Sequence, residues 1–315
     1  YGFVVAGIGL GPIYVSLFKL ISGITRLLLG YRIYLKGHSR IAILPGTWNS
    51  VNSMFKASLV FALIEILGVI YNKTNIFFLQ KETGLNGVAY YSAAWNIVDA
   101  ISVLASDQFL GWVIFPLLAT LWWKDRKLAG DLVRRNAQWL MAIALPVVFI
   151  LFTESSMIIS LIYPTEYSDA IWMQKYLVWT IPISFQNNLF SYVMMVSGAA
   201  KVLLLFTVLG TIVNLVLNFT LIPMMQLHGG CLVIIFTKLL VVFLTFSYCR
   251  VSLGFVRFVD LVFPFILGVF AALFFVIVEP ILTLHPSVAI TLIIYLGLLF
   301  GIGPKFIGHF PTKTN

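Results

Sequence analysis

Charged side chains are scarce in this chain of 315 residues: Asp, Glu, Lys and Arg make up 10% of it, whereas hydrophobic residues make up 61%. Soluble domains are about one quarter charged and about half apolar, so this composition excludes a soluble globule. Long apolar runs recur along the whole chain, which also excludes a soluble domain with a single membrane anchor. We therefore expect an integral membrane protein.

Cysteine and histidine are also rare, with two and four copies. Cys231 and Cys249 fall in one apolar run, about five helical turns apart, which is too far for a disulfide. The sequence contains no cysteine or histidine spacing typical of a metal site and no nucleotide-binding loop. We therefore expect no metal and no cofactor, and no ATP-driven pumping by this chain alone.

Acidic residues are outnumbered by basic ones, 11 against 20, which gives a net charge of +9. In a membrane protein an excess of Lys and Arg collects in the cytoplasmic loops, so we expect no nucleic-acid partner. The chain opens on Tyr1 and runs directly into an apolar segment, without the basic segment and cleavage site of a signal peptide. We expect it to be a fragment whose N-terminal part is missing.

The apolar runs predict about nine membrane spans. Most have about 20 residues or more, which is enough for a helix to cross about 30 Å of hydrocarbon. The runs are continuous rather than alternating, so we predict an all-α, polytopic transmembrane bundle and not a β-barrel. The predicted spans are roughly Gly2–Leu29, Phe55–Phe78, Val88–Phe115, Leu140–Ile162, Ile171–Val196, Val202–Met224, Cys231–Cys249, Leu261–Val278 and Ser287–Ile302.

Basic residues alternate between the loops. The loops after the fourth, sixth and eighth spans read YPTEYSD, PMMQLHGG and EPILTLHP, with no Lys or Arg, and only the loop near Lys73 and Lys81 is mixed. The positive-inside rule therefore predicts that the fragment starts on the outer side of the membrane and has its C-terminus on the cytoplasmic side. The basic loop residues are Arg32, Lys36, Arg40, Lys124, Arg126, Lys127, Arg134, Arg135, Lys201, Arg250, Arg257, Lys305 and Lys313.

Two segments of the chain resemble each other. GPIYVSLFK, from Gly11 to Lys19, parallels GCLVIIFTK, from Gly230 to Lys238, and in each a lysine follows a glycine by eight residues. Six predicted span starts separate the copies. This spacing indicates a parallel repeat of six helices, a common construction in secondary transporters, which bind their substrate where the repeats meet.

Three segments of the sequence are similar to polysaccharide-transport flippases. They are YNKTNIFFLQKETGLNGVAYYSAAWNIVDAI (Tyr71–Ile101), LIYPTEYSDA (Leu161–Ala170) and NLVLNFTLIPMMQLHGG (Asn214–Gly230), accompanied by a basic loop after FPLLATL (Phe115–Leu121). The family comprises O-antigen type oligosaccharide exporters of the multidrug/oligosaccharidyl-lipid/polysaccharide superfamily. One departure is Asn75, where the family often has an acidic residue, and this puts a charge role at that position in doubt.

The resemblance implies two lobes of six helices, often followed by two extra helices. On that template, residues 1–47 hold the last helix of the first lobe and a cytoplasmic linker, 48–253 form the complete second lobe, and 254–315 form the two extra helices and a cytoplasmic tail. The implied function is translocation of lipid-linked oligosaccharide across the cytoplasmic membrane, for cell-surface polysaccharides such as lipopolysaccharide. The implied partners are the substrate, membrane lipids and other polysaccharide-assembly proteins.

A flippase of this kind needs cations for the diphosphate of its substrate. Charged side chains deep in a span are costly, so they indicate function. Lys19 lies about 12 Å along its helix from Gly11. Arg26 follows seven residues later on the same helix face. In the second copy of the repeat, Lys238 lies at the same depth as Lys19 does in the first. We take these three, with Lys73, as candidate substrate contacts. For Lys19, Arg26 and Lys238 the alternative is that they snorkel to the interface or pair with buried carboxylates. For Lys73, near the outer end of its helix, the alternative is an interfacial anchor.

A polar stripe marks one face of the third predicted span. Asp99 in this stripe, together with Glu65 on the preceding span, could bind a coupling ion, H⁺ or Na⁺, or neutralise one of the lysines. Asn187 and Asn188 follow Pro182, and helix interruptions of this kind often line a pathway. We take Asn96, Asn187 and Asn188 as candidate substrate contacts. The stripe consists of Ser92, Asn96, Asp99, Ser102 and Ser106.

Two other functions stay open at this point. A drug/cation antiporter of the same superfamily would favour carboxylates in the spans, whereas here the basic residues match the acids in number. A membrane glycan polymerase or ligase usually needs a large outer loop with catalytic Arg or His, and the outer loops offer only His228 and His285, in short segments.

Overall fold

The computed structural model describes residues 12–37 and 48–307, and the chain divides into two compact units, 1–57 and 58–315. The regular elements of the described residues are all helical, which confirms the predicted all-α class. The division into domains at residues 47 and 253 stays a prediction.

The first unit contains helix α1 and the start of α2. Helix α1, Pro12–Gly37, has 26 residues and begins with a proline, whose fixed φ and missing N–H suit a first helical position. At 1.5 Å per residue it is about 39 Å long, enough to cross a bilayer. The side chains described in α1 are almost all exposed within this unit.

The second unit is a continuous series of helices. Helix α2, Trp48–Val103, begins in the first unit and leads into a π-helical segment, Leu104–Ile114. The elements that follow are α3 Phe115–Lys124, α4 Arg126–Thr153, α5 Ser155–Ile162, a 3₁₀ turn Thr165–Tyr167, α6 Asp169–Leu177, α7 Thr180–Val196, α8 Ala200–Val251, α9 Phe258–Leu282 and α10 Leu284–Ile307.

Five helices in the described part of the chain are long and apolar enough to cross a membrane, which makes this a multi-pass membrane protein. Two of the five spans, Met54–Val103 and Ala200–Val251, contain 50 and 52 residues. A straight helix of that length would measure about 75 Å, more than twice the hydrocarbon thickness. Non-helical residues divide them, Gly84 in α2 and Gln226 in α8. Each of these helices therefore supplies two of the predicted spans.

Helix boundaries differ from the sequence prediction in the second half of α8 and around α4. Pro223–Gly230, predicted as a turn, is helical apart from Gln226 (φ 50°, ψ −121°). Leu140–Ile162, predicted as one span, is interrupted at Glu154, which separates α4 from α5. In both places one residue changes the helix direction, which hydropathy along the chain does not reveal.

The prediction of a break at Pro182 was also wrong in position. The helix is interrupted earlier, between the end of α6 at Leu177 and the start of α7 at Thr180. Pro182 lies in the first turn of α7, where a proline removes no intrahelical hydrogen bond. Asn187 and Asn188 therefore lie within a regular helix and not beside an unwound segment.

Two apolar cores hold the second unit together. The larger core belongs to the main bundle, by which we mean the helices between residues 58 and 251, and Tyr91, Trp95 and Phe190 are among its largest fully buried side chains. The smaller core joins α4 to the C-terminal hairpin, by which we mean α9 and α10. It consists of Ala142, Leu267, Ala271, Tyr295 and Leu299.

Substitution of Gly84 tests directly whether α2 is divided at this residue. Its φ of 70° and ψ of −169° belong to a region that only glycine adopts without strain. No atom lies within 4 Å of a Cβ added there, so Gly84→Ala tests backbone conformation alone. We expect a loss of about 1–3 kcal/mol in the free energy of unfolding, measured by thermal unfolding in detergent.

Gly297 provides the matched control for this substitution. It lies inside α10, and a Cβ there would also meet nothing within 4 Å. Alanine is favoured over glycine in a helix interior by about 0.5–1 kcal/mol, so Gly297→Ala is expected to stabilise. Equal effects of the two substitutions would contradict the division of α2 at Gly84.

Candidate functional site

A buried lysine lies in the middle of a membrane-spanning helix. Lys238 is in the second half of α8, twelve residues after Gln226 and thirteen before Val251, about 18–20 Å from either end. Its side chain is 9% exposed. Because an ammonium group is costly to bury in an apolar environment, the groups around it determine what this position can do.

Two groups contact the Lys238 ammonium. Its Nζ donates a hydrogen bond of 2.7 Å to Ser184 Oγ on α7. The ring of Trp95 on α2 lies 5.1 Å from Nζ, at a distance typical of a cation–π interaction. Asp99 follows one turn after Trp95 on α2. The site is thus built from α2, α7 and α8.

An ammonium group has three donors, and Ser184 accepts from one of them. Trp95 contributes a ring face and no acceptor, and its own Nε1 has no hydrogen-bond partner among the described residues. Lys238 therefore combines a positive charge with hydrogen-bonding capacity beyond what its protein neighbours use. This arrangement suits an anionic oxygen such as that of a phosphate.

Hydrogen bonds fix the helix that carries Ser184. Gln186 Nε2 donates to the backbone oxygen of Ala137 on α4 at 2.8 Å. Thr245 Oγ1 on α8 donates to Asn187 Oδ1 at 3.2 Å. These bonds set the rotation of α7 about its axis, and that rotation aims Ser184 at Lys238.

Amide side chains form a second buried network close by, between the two halves of α8. Asn214 Nδ2 donates to Thr237 Oγ1 at 3.1 Å, across the kink at Gln226. Asn218 Nδ2 donates to both Asn214 Oδ1 and the Asn214 backbone oxygen, each at 2.8 Å. Thr237 directly precedes Lys238, so this network also holds the lysine in place.

Asn75, where the family often has an acidic residue, is fully buried. Its Nδ2 donates to the hydroxyl of Tyr91, and the Tyr91 ring is stacked with that of Trp95 at an interplanar angle of 3°. Asn75 thus joins the two halves of α2, and through Tyr91 it holds the ring that stacks on Trp95. The structure gives this residue a packing contact that needs no charge.

The two predicted coupling carboxylates, Glu65 and Asp99, both lie on α2. Glu65 is exposed and Asp99 partly buried in this unit. Binding of an ion by either carboxylate stays a prediction.

No hydrogen bond among the described residues joins Lys238 to the predicted contacts of the second unit, Lys73, Asn96, Asn187 and Asn188. Lys73 and Asn96 are exposed on α2, and Asn187 and Asn188 are partly buried on α7. Arg26 is exposed on α1, in the first unit. Lys19 also lies on α1, but its side chain is outside the described residues, as is Gly11. The repeat that pairs Lys19 with Lys238 therefore stays a prediction.

An apolar cleft lies between the main bundle and the C-terminal hairpin. It comprises two cavities of about 340 and 490 Å³ that share Leu145, Trp179 and Phe265 as lining residues. Ile235 and Leu239, which flank Lys238 on α8, line the larger cavity, whereas Lys238 does not. Such a lining suits a hydrocarbon and not a phosphate.

Sequence reasoning missed Trp95 and the pairing of Glu154 with His285. Trp95 lies between two residues of the polar stripe and looks in the sequence like an ordinary apolar residue. Its residue type was the available signal, because tryptophan rings form cation–π interactions with lysine. Glu154 and His285 are 131 residues apart. Each was visible as a polar residue near the end of an apolar run, but nothing in the sequence pairs them.

The fold and the site define a multi-pass membrane protein with a cationic polar site in its interior. The sequence profile of the family described as polysaccharide biosynthesis protein matches residues 2–172, more than half of the chain. The chain belongs to this family, and the resemblance seen in its sequence is confirmed. No curated protein matches it. Trp95 and Asp99 lie inside the matched segment, and Ser184 and Lys238 lie beyond it.

Proposed function

We propose that this protein is a flippase that moves lipid-linked oligosaccharide, carried on polyprenyl diphosphate, across the cytoplasmic membrane. The observation that carries the proposal is the buried Lys238, held at mid-depth by Ser184 and Trp95 in a member of a polysaccharide biosynthesis family. A diphosphate is the anionic part of such a substrate, and a cation inside the membrane lowers the cost of its passage.

Other features of the second unit support this function. The amides of Asn187 and Asn188 on α7 are only partly buried, and amide groups are hydrogen-bond partners of the kind that sugar hydroxyls need. The apolar cleft provides a hydrocarbon-compatible surface on the neighbouring face of α8. The charged head and the lipid tail of one substrate would therefore contact different surfaces.

Transport would proceed by alternating access of two lobes, with the C-terminus on the cytoplasmic side. We propose Asp99 as the group that neutralises Lys238 when no substrate is bound, because it lies one turn after Trp95, whose ring contacts the ammonium. An incoming phosphate would replace this interaction. Coupling to H⁺ or Na⁺ through Asp99 and Glu65 belongs to the same proposal, as do contacts with other polysaccharide-assembly proteins.

Reconstitution of the full-length protein into liposomes tests the proposal. A polyprenyl diphosphate oligosaccharide is placed in the inner leaflet, and a membrane-impermeant glycosidase added outside reports the fraction that has crossed. We expect protein-dependent exposure of the glycan. Liposomes without protein, and liposomes carrying a polyprenyl chain without diphosphate, serve as controls.

Two results would replace the proposal with another function. Uptake of a cationic dye driven by an ion gradient, without movement of the glycan, would indicate a drug/cation antiporter. Lengthening of the glycan on its lipid carrier would indicate a polymerase or ligase. Movement of the lipid with and without diphosphate at equal rates would remove the role assigned to Lys238.

A further inference from the structure

An acid–histidine pair links the C-terminal hairpin to the main bundle. Glu154 is the single residue between α4 and α5, and His285 is the second residue of α10. Glu154 Oε1 and His285 Nδ1 are 2.9 Å apart. The pair is at the end of α4 opposite its cluster of Arg and Lys residues, close to the turn that joins α9 to α10.

The two side chains differ sharply in their exposure. Glu154 is 8% exposed, whereas His285 is 67% exposed. The second carboxylate oxygen, Glu154 Oε2, is buried and has no hydrogen-bond partner among the described residues. A buried carboxylate needs compensation for its charge and its lone pairs. The imidazole of His285 is the group that the fold brings to it, and this ring can exchange protons with water.

The turn that carries His285 is strained. Thr283 has φ 69° and ψ 171°, which is an outlier for a β-branched residue. Its backbone oxygen accepts a hydrogen bond from the hydroxyl of the fully buried Ser287. Strain of this kind persists where surrounding contacts hold it. Here the Glu154–His285 bond and the Ser287 bond hold the turn on both sides of His285.

The other contacts of the hairpin are insensitive to pH. Tyr295 on α10 donates a hydrogen bond of 2.8 Å to the backbone oxygen of Ala142 on α4. The rings of Phe149 and Phe275 are in edge contact at 5.1 Å. Both contacts lie deeper along α4 than Glu154. Loss of the acid–histidine bond would therefore free the end of the hairpin while its middle stays attached.

The charged groups on the surrounding elements are few. On α6 they are Asp169 and Lys175, and Lys175 Nζ lies 5.7 Å from the ring of Phe152. On α9 the nearest is Glu279, whose backbone oxygen accepts from Thr283 N. Helix α5 has none, and the acidic and basic residues of α4 are at its other end. None of these side chains forms an ion pair with Glu154 or His285 in the described part of the chain.

We propose that Glu154 and His285 form a proton-binding site that latches the end of the C-terminal hairpin to the main bundle. In the closed state Nδ1–H donates to the carboxylate, and the other ring nitrogen, Nε2, gains or loses the proton. With the proton bound, the imidazolium compensates the buried carboxylate charge. When the proton leaves, the attraction between opposite charges is lost and the strained turn moves away from Glu154. The latch is closed at acidic pH and opens as the pH rises.

A distance measurement on the full-length protein in lipid nanodiscs tests the latch. Spin labels are attached to cysteines introduced at Leu161 on α5 and Ile281 on α9, which are 80% and 76% exposed. The native Cys231 and Cys249 are buried, and unmutated protein treated with the same label gives the background. We expect a second, longer distance whose population rises at least about threefold between about pH 5 and about pH 8, the range in which histidine changes its charge.

Three variants decide whether the pair causes this change. His285→Gln and Glu154→Gln keep similar side-chain shapes, and both are expected to abolish the pH dependence. Tyr295→Phe removes a hydrogen bond between the same helices and is expected to preserve it. An unchanged distance across this pH range, or a pH dependence that survives in His285→Gln, would overturn the proposal. Because the distance requires no substrate, these results are independent of whether the protein is a flippase.

Discussion

Replacement of Lys238 with methionine is expected to lower the transport rate on the order of 10- to 100-fold and to leave the protein at least as stable. Hydrogen bonds to charged groups contribute about 1.5–3 kcal/mol, and about 1.4 kcal/mol corresponds to a factor of ten. Methionine has a similar length to lysine but no charge. Burial of an ammonium group in an apolar environment is costly, and the substitution removes this cost. Transport and stability are therefore expected to change independently.

The same liposome assay measures the rate, and thermal unfolding in detergent measures the stability. Lys201→Met is the matched control, since Lys201 is on the same helix but exposed at its beginning. We expect this control to transport at nearly the normal rate. A parallel loss of transport and stability in Lys238→Met would mean that the lysine is a structural group that holds α7 through Ser184.

Gly229→Ala is expected to destabilise the protein by about 1–3 kcal/mol, the usual cost of overpacking. A Cβ at Gly229 would lie 2.3 Å from the backbone oxygen of Leu221. These residues are on opposite sides of the kink at Gln226, and a backbone oxygen cannot rotate away as a side chain can. The two halves of α8 would have to separate, and the hydrogen bond between Asn214 and Thr237 would lengthen.

Gly230→Ala separates this steric effect from a general effect of alanine. Its added Cβ would lie 2.9 Å from Leu79 Cδ1, the end of a flexible side chain. Alanine is favoured over glycine in a helix by about 1 kcal/mol, so we expect a change near zero. Thermal unfolding of both variants measures the difference. If Gly230→Ala destabilises as much as Gly229→Ala, the close approach at the kink is not the cause.

The class of the fold followed from composition alone. A membrane offers no water to backbone N–H and C=O groups, so a long apolar run must satisfy them internally as a helix. Depth in the membrane was also readable, because the rise of a helix converts residue number directly into distance. For this reason the sequence singled out Lys238 as a charge deep inside a span.

The residues that contact Lys238 could not be predicted from the sequence in the same way. Ser184 is 54 residues away in the chain, and Trp95 is further still. Their approach to the ammonium depends on how α2, α7 and α8 are rotated about their axes. Hydrophobicity gives little information on rotation here, because apolar residues surround each helix on most sides and lipid tails are as apolar as a packed interior.

The positions of the kinks and the acid–histidine pair also could not be predicted from the sequence. Gly84 could have been read as a glycine hinge, but nothing local marks Gln226 as the residue that redirects α8, or Glu154 as the one that ends α4. Local composition therefore decided which segments cross the membrane and how deep each charge lies. Helix packing between distant segments decided which side chains meet, because hydrogen bonds, ring contacts and close backbone approaches form only after the helices are oriented.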